Sequence, residues 1–153
     1  MCVPKLRLKP SASADILLVD DDPDARSLVR DALTIEPGRW RVHEVGTGGE
    51  AVDFLRRRGR FAGAPRPAAV VLDVEMPGLS GLKLLEMIRS DPLLAEMPAI
   101  IVSSAVKGQE ADLIARGADA VLAKPPAPEA LCRALERAVV GSQSEPRRKG
   151  DDA

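Results

Sequence analysis

Ile16-Leu17-Leu18-Val19-Asp20-Asp21-Asp22-Pro23-Asp24 decides how the rest of the chain is read. Four consecutive apolar residues with a β-branched end suit a strand covered on both faces, as in a parallel sheet. The strand stops at three carboxylates. Asp22 before Pro23 then starts a helix, because an Asp cap accepts free amide protons and proline fits the first turn. The helical period follows at Ala25, Leu28, Val29 and Ala32.

Outward from this unit the same alternation recurs. Ala68 to Leu72, Ala99 to Val102 and Ala120 to Ala123 are further continuous apolar runs, whereas Trp40 to Val45 alternates with charges and reads as an edge strand. Between and after them, Ala51 with Leu55, then Leu84, Leu85 and Ile88, then Leu113 with Ile114 mark helices. The last helix carries Leu131, Ala134, Leu135 and Ala138, and Gly117 is a stop for the fourth. Strand and helix alternating five times predict an α/β fold, a doubly wound five-stranded parallel sheet with five helices on its two faces. No repeat of solenoid length is present.

Composition narrows the function. With 153 residues, 45% hydrophobic and 29% charged, the chain is the size of one globular domain, not of a large multidomain enzyme. No apolar run approaches the ~18 residues of a membrane span, and the start resembles no signal peptide, so the expected location is cytoplasmic, with no membrane partner. Residues 15–140 hold 16 Lys and Arg against 20 Asp and Glu. That acidic balance argues against DNA binding, which needs cations on the folded body. Residues 1–14 and 141–153, rich in Pro, Ser and charge, are expected to be disordered tails around a domain at 15–140. Cys2 and Cys132, at opposite ends of the chain, are read as free thiols.

Ligands of such folds sit at the carboxyl ends of strands. There the first run ends in Asp20-Asp21-Asp22, the third in Asp73, the fourth in Ser103-Ser104 and the fifth in Lys124-Pro125. If the first and third strands are neighbours, two carboxylates come about 5 Å apart at a strand spacing of ~4.8 Å. They then repel by about 3 kcal/mol at an effective dielectric near 20. A positive charge belongs there. Oxygen ligands without His or Cys favour Mg²⁺, and Lys124 adds an ammonium. Such a cradle suits attack on phosphorus, with Asp73 as nucleophile and Ser104 donating to a phosphoryl oxygen.

ILLVDDDPD (16–24), VVLDVEMPGLSG (70–81), IIVSSA (100–105) and ADAVLAKP (118–125), in this order at strand ends, together resemble a bacterial response-regulator receiver domain over residues 15–140. The resemblance implies a flavodoxin-like, CheY-like sheet of order 2-1-3-4-5, an order the family itself exemplifies. It implies that Asp73 is phosphorylated by a sensor histidine kinase or histidine phosphotransfer protein. Asp21 would bind Mg²⁺ directly, Asp20 mostly through water, and the Glu75 backbone carbonyl would be a further ligand. Ser104 is then the switching hydroxyl, Lys124 the phosphoryl-binding lysine, and the bond before Pro125 cis. Phosphorylation would switch binding of a downstream protein of unknown identity. Only 13 residues follow Val140, so a stand-alone receiver that turns over no separate substrate is expected. Alternatives are a non-phosphorylated interaction module and a phosphate sink.

Several residues depart from the family pattern or stand outside it. Val121 occupies a place often held by Tyr or Phe, so output is expected to depend on the loop from Ser104 to Gly108 and on the fourth helix. Pro126 replaces a large apolar residue, and Glu75 and Val106 flank the expected phosphoryl site. The Asp73-Val74-Glu75 spacing resembles haloacid-dehalogenase phosphatases, but Glu in the second place and the Lys-Pro pair argue against that family. His43 is expected at the surface, Arg56, Arg57, Arg58 and Arg60 on a solvated face, and Cys132 in a structural position.

Overall fold

The computed structural model describes residues 13–144 except 77 and 105–107, with side chains as far as 141. Five strands, β1 (Ala14–Val19), β2 (Trp40–Val45), β3 (Ala69–Leu72), β4 (Ala99–Ser103) and β5 (Ala120–Ala123), alternate with five helices. These are α1 (Pro23–Ala32), α2 (Gly48–Arg56), α3 (Gly81–Ser90), α4 (Glu110–Ala115) and α5 (Pro128–Ser144). All strand pairs are parallel, in the order β2-β1-β3-β4-β5. This is the flavodoxin-like, CheY-like arrangement.

Continuous apolar strands here serve two cores at once, because successive side chains point to opposite faces. Leu17, Val19, Val70, Leu72 and Ile101 face α2, α3 and α4, where they meet Phe54, Leu84, Leu85, Ile88 and Leu113. Ile16, Leu18, Val71, Ile100 and Val102 face the other way, toward Val29 of α1 and Leu131 and Leu135 of α5.

Local chemistry sets the helix ends. The Asp22 side chain accepts from the Asp24 amide at 2.9 Å, with Pro23 opening α1. Thr47 and Ser80 cap α2 and α3 in the same way, at 3.0 and 3.2 Å. Gly117, at φ +119°, follows the Arg116 cap of α4.

Four expectations need correction. β5 is half-buried rather than covered on both faces, because the strand order makes it the second edge. Leu28 lies on the outer side of α1 and is exposed, despite fitting the apolar period. Regular structure reaches past residues 15–140: β1 begins at Ala14 and α5 runs to Ser144, so residues 141–144 of the expected tail are helical. His43 is half-buried, its ring 5.3 Å from that of Phe54 and its Nε2 2.9 Å from Asp15 Oδ1. Cys132 is buried at 4% exposure, with its thiol held up at about 11 by burial. Cys2, Val106, loop residues 105–107 and most of both expected tails lie outside the described residues. No helix among the described residues is long and apolar enough to cross a membrane.

Candidate functional site

The register of β1 against β3 pairs Val19 with Leu72, so the next residues, Asp20 and Asp73, leave adjacent strand ends side by side. The Asp73 amide donates to the Val19 carbonyl at 3.0 Å, and the Asp20 amide donates to that of Val45 at 3.2 Å, fixing both starts. Each carboxylate is also held by a nearby amide. Asp22 N donates to Asp20 Oδ1 at 2.9 Å and Glu75 N to Asp73 Oδ1 at 3.1 Å. Both residues are buried, 2% and 5% exposed, while Asp21 lies open at the rim.

Lys124 enters from the end of β5, where its amide donates to the Ser103 carbonyl at 3.0 Å. The peptide bond to Pro125 is cis, as the resemblance implies. Nζ lies 2.7 Å from Asp20 Oδ2 and 3.1 Å from Asp73 Oδ2, so one ammonium bridges two carboxylates. Burial pushes the Asp73 carboxyl above its ordinary range, the charge of Asp20 adds to this, and the Glu75 amide and Lys124 oppose it. For Lys124, burial favours the neutral amine. The two carboxylates outweigh it and hold the pKa above its ordinary value.

Asp20, Asp21 and Asp73 each offer a carboxylate oxygen, and these oxygens lie within 4.8 Å of one another. An all-oxygen, acidic donor set of this size fits a hard divalent cation. The donors match Mg²⁺ chemistry.

Ser104 is exposed, and its hydroxyl donates to Glu75 Oε1 at 3.3 Å. The structure thus brings Asp20, Asp21, Asp73 and Lys124 into one cluster and ties Ser104 to the flanking Glu75 side chain. Val121 is half-buried against the core facing α2 to α4.

Two supporting residues escape a reading by strand ends alone. Arg26 of α1 donates from Nη1 to the Asp20 carbonyl at 2.6 Å and from Nε to Glu44 at 3.1 Å, bracing the acidic turn. Arg30 also pairs with Glu44. Gly81, at the start of α3, is required by space: a Cβ there would lie 2.0 Å from the Asp73 carbonyl oxygen. The spacing Gly78-Leu79-Ser80-Gly81 before a helix was the available signal for the second.

With fold and cluster in view, the comparisons agree. The family model described as response regulator receiver domain matches residues 16–136, and the chain belongs to this family of signalling modules of two-component systems. The nitrate/nitrite response regulator protein NarP of Escherichia coli is 35% identical over 128 residues, which cover 84% of this chain and 56% of NarP. A protein-glutamate methylesterase/protein-glutamine glutaminase of Rhizobium etli is 39% identical over 106 residues, covering 69% of this chain and 28% of that protein. The chain spans about half or less of the length of these curated relatives. Among solved structures, the bacteriophytochrome response regulator AtBRR superposes with a TM-score of 0.72 at 29% identity, over 81% of this chain and 91% of that one. The phosphorylated cyanobacterial phytochrome response regulator RcpA gives 0.71 at 26% identity, over 87% and 96%.

Proposed function

We propose that Asp73 accepts a phosphoryl group from a sensor histidine kinase or histidine phosphotransfer protein, with Mg²⁺ bound nearby, and that this changes affinity for a downstream protein. The observation that carries the reading is the Lys124 ammonium bridging Asp20 and Asp73 beside the exposed Asp21. A structural lysine needs only one carboxylate partner. Here two buried carboxylates and a third at the rim converge, an arrangement suited to polyanionic chemistry.

In the transfer, an Asp73 carboxylate oxygen forms the bond to phosphorus while the phosphorus–nitrogen bond of the donor imidazole breaks. The imidazole departs with a proton, leaving an acyl phosphate on Asp73. Lys124 moves its contact from Asp73 toward the new equatorial oxygens, and Ser104 donates to another after leaving Glu75. Asp20, Asp21, Asp73 and the Glu75 carbonyl are the groups that would hold Mg²⁺, which when bound supplies charge neutralisation of the phosphoryl oxygens. The acidic body favours a protein partner over DNA, and the reading places the chain in the cytoplasm.

Acetyl phosphate with Mg²⁺ is expected to shift the band on a phosphate-affinity gel, with the shift lost in Asp73→Asn and in EDTA. No shift in the wild-type chain would instead favour a constitutive interaction module. A shift that decays rapidly, with no partner retained by the beryllofluoride-treated protein, would favour a phosphate sink.

A further inference from the structure

Each helix runs back against the strands, so the carboxyl ends of α2 and α3 lie at the end of the sheet remote from Asp73. Between them is a groove of about 800 Å³. Arg56, Arg57, Arg58 and Arg66 line it, over a partly apolar wall that includes Leu55 and Met87. Asp91 is the one carboxylate of the lining, and it pairs with Arg56 at 3.3 Å. Arg66 donates from Nη2 to the Leu93 carbonyl at 2.7 Å. The side chains of Arg57 and Arg58 have no carboxylate partner among the described residues. Leu93, also in the lining, is 77% exposed.

The backbone makes Arg57 an unusual choice for a mere helix end. Its amide donates to the Phe54 carbonyl at 3.2 Å and the Arg58 amide donates to that of Asp53 at 2.8 Å, closing the last turn of α2. This closure puts Arg57 in the left-handed region, φ +56° and ψ +50°, where glycine fits without strain. A cation at a helix carboxyl end offsets the dipole, but Arg56 in the last turn already does so.

We propose that this groove docks an acidic peptide segment of a partner protein that also carries aliphatic side chains. Unpaired guanidiniums present forked donors matched to carboxylates. Leu55, Met87 and exposed Leu93 offer an apolar surface for the aliphatic groups. A nucleic-acid strand fits less well, because the lining holds no aromatic ring for a base to stack upon and the body as a whole is acidic. The site stands apart from Asp73 and does not depend on phosphorylation.

Fluorescence anisotropy with a labelled synthetic peptide of glutamates interrupted by two leucines tests the assignment. Saturable binding is expected in the wild-type chain and in Asp73→Asn alike. Arg58→Glu should weaken it by about tenfold or more, since a charge-assisted pair becomes a repulsive one. Arg57→Gly should weaken it by about threefold while raising the thermal midpoint, because the strain of the left-handed residue is relieved. A fold-only role for Arg57 would raise the midpoint and leave binding unchanged. Replacing the leucines of the peptide by serine should weaken binding. The proposal is overturned by absence of saturable binding below about 1 mM, the range of non-specific association. It is equally overturned by indifference to Arg58→Glu, or by an oligonucleotide of the same charge binding more tightly than the peptide.

Discussion

The Ser104 hydroxyl donates to Glu75 Oε1 across 3.3 Å, from the end of β4 to the loop after β3. In the proposed mechanism this bond opposes activation, since the hydroxyl must turn away from Glu75 to meet a phosphoryl oxygen. A hydrogen bond between exposed groups contributes about 0.5–1.5 kcal/mol. Glu75→Ala should therefore tighten beryllofluoride binding in Mg²⁺ by about threefold, as read by titration calorimetry. Glu75→Gln keeps an acceptor without the charge and separates loss of the bond from loss of repulsion. Equal affinity in the wild type and Glu75→Ala would show that the contact does not hold Ser104 back.

Lys124 compensates two buried carboxylates, and its removal leaves them facing each other. Lys124→Met should cost about 3 kcal/mol of folding stability in EDTA, the scale of the exposed repulsion and the lost ion pairs. Added Mg²⁺ should then recover more stability in the variant than in the wild type, because a cation supplies the missing charge. Denaturant unfolding with and without Mg²⁺ measures both, and equal recovery would separate Lys124 from the cation site.

Gly81 has no room for a side chain. Its Cβ would meet the Asp73 carbonyl oxygen at 2.0 Å and the carbonyl carbon at 2.7 Å, so the backbone of the acceptor residue must move. Gly81→Ala is expected to destabilise by about 2–3 kcal/mol and to reduce phosphorylation of Asp73 by acetyl phosphate. Wild-type stability on chemical denaturation would contradict the contact.

At the other end of β1, Asp15 accepts from Arg41 Nε and Nη2 at 2.8 and 3.3 Å and faces His43 Nε2 at 2.9 Å. The Arg41 hydrogen bond, helped by His43, holds the carboxyl below its ordinary value against the effect of burial. A carboxyl depressed in the folded state stabilises above its unfolded pKa, and the contribution is lost as pH falls through the folded value. Asp15→Asn should thus cost about 0.5–1 kcal/mol at pH 7, the scale of a partly exposed pair. The gap between the two proteins should close on acidification below the ordinary carboxylate range. A gap independent of pH would assign the effect to packing.

Apolar periodicity and Asp22-Pro23 capping act over a few residues, so the strands, the helices, the parallel sheet and the acidic and basic residues at strand ends are legible in the chain before it folds. Together with four ordered motifs they were enough to recognise the family. Tertiary structure decided what depends on neighbours distant along the chain. Ala120 to Ala123 reads like a covered strand, but its place at the edge leaves it half-exposed. Leu28 and Val29 are equally apolar, and only the packing of α1 against α5 and the sheet buries one and exposes the other. The bond of Ser104 to Glu75, the pairing of Arg26 with Glu44 and the arginine groove between α2 and α3 likewise join residues far apart in sequence. Local propensity is blind to such pairs, because their energies depend on distances set only when the sheet is assembled and its register fixed.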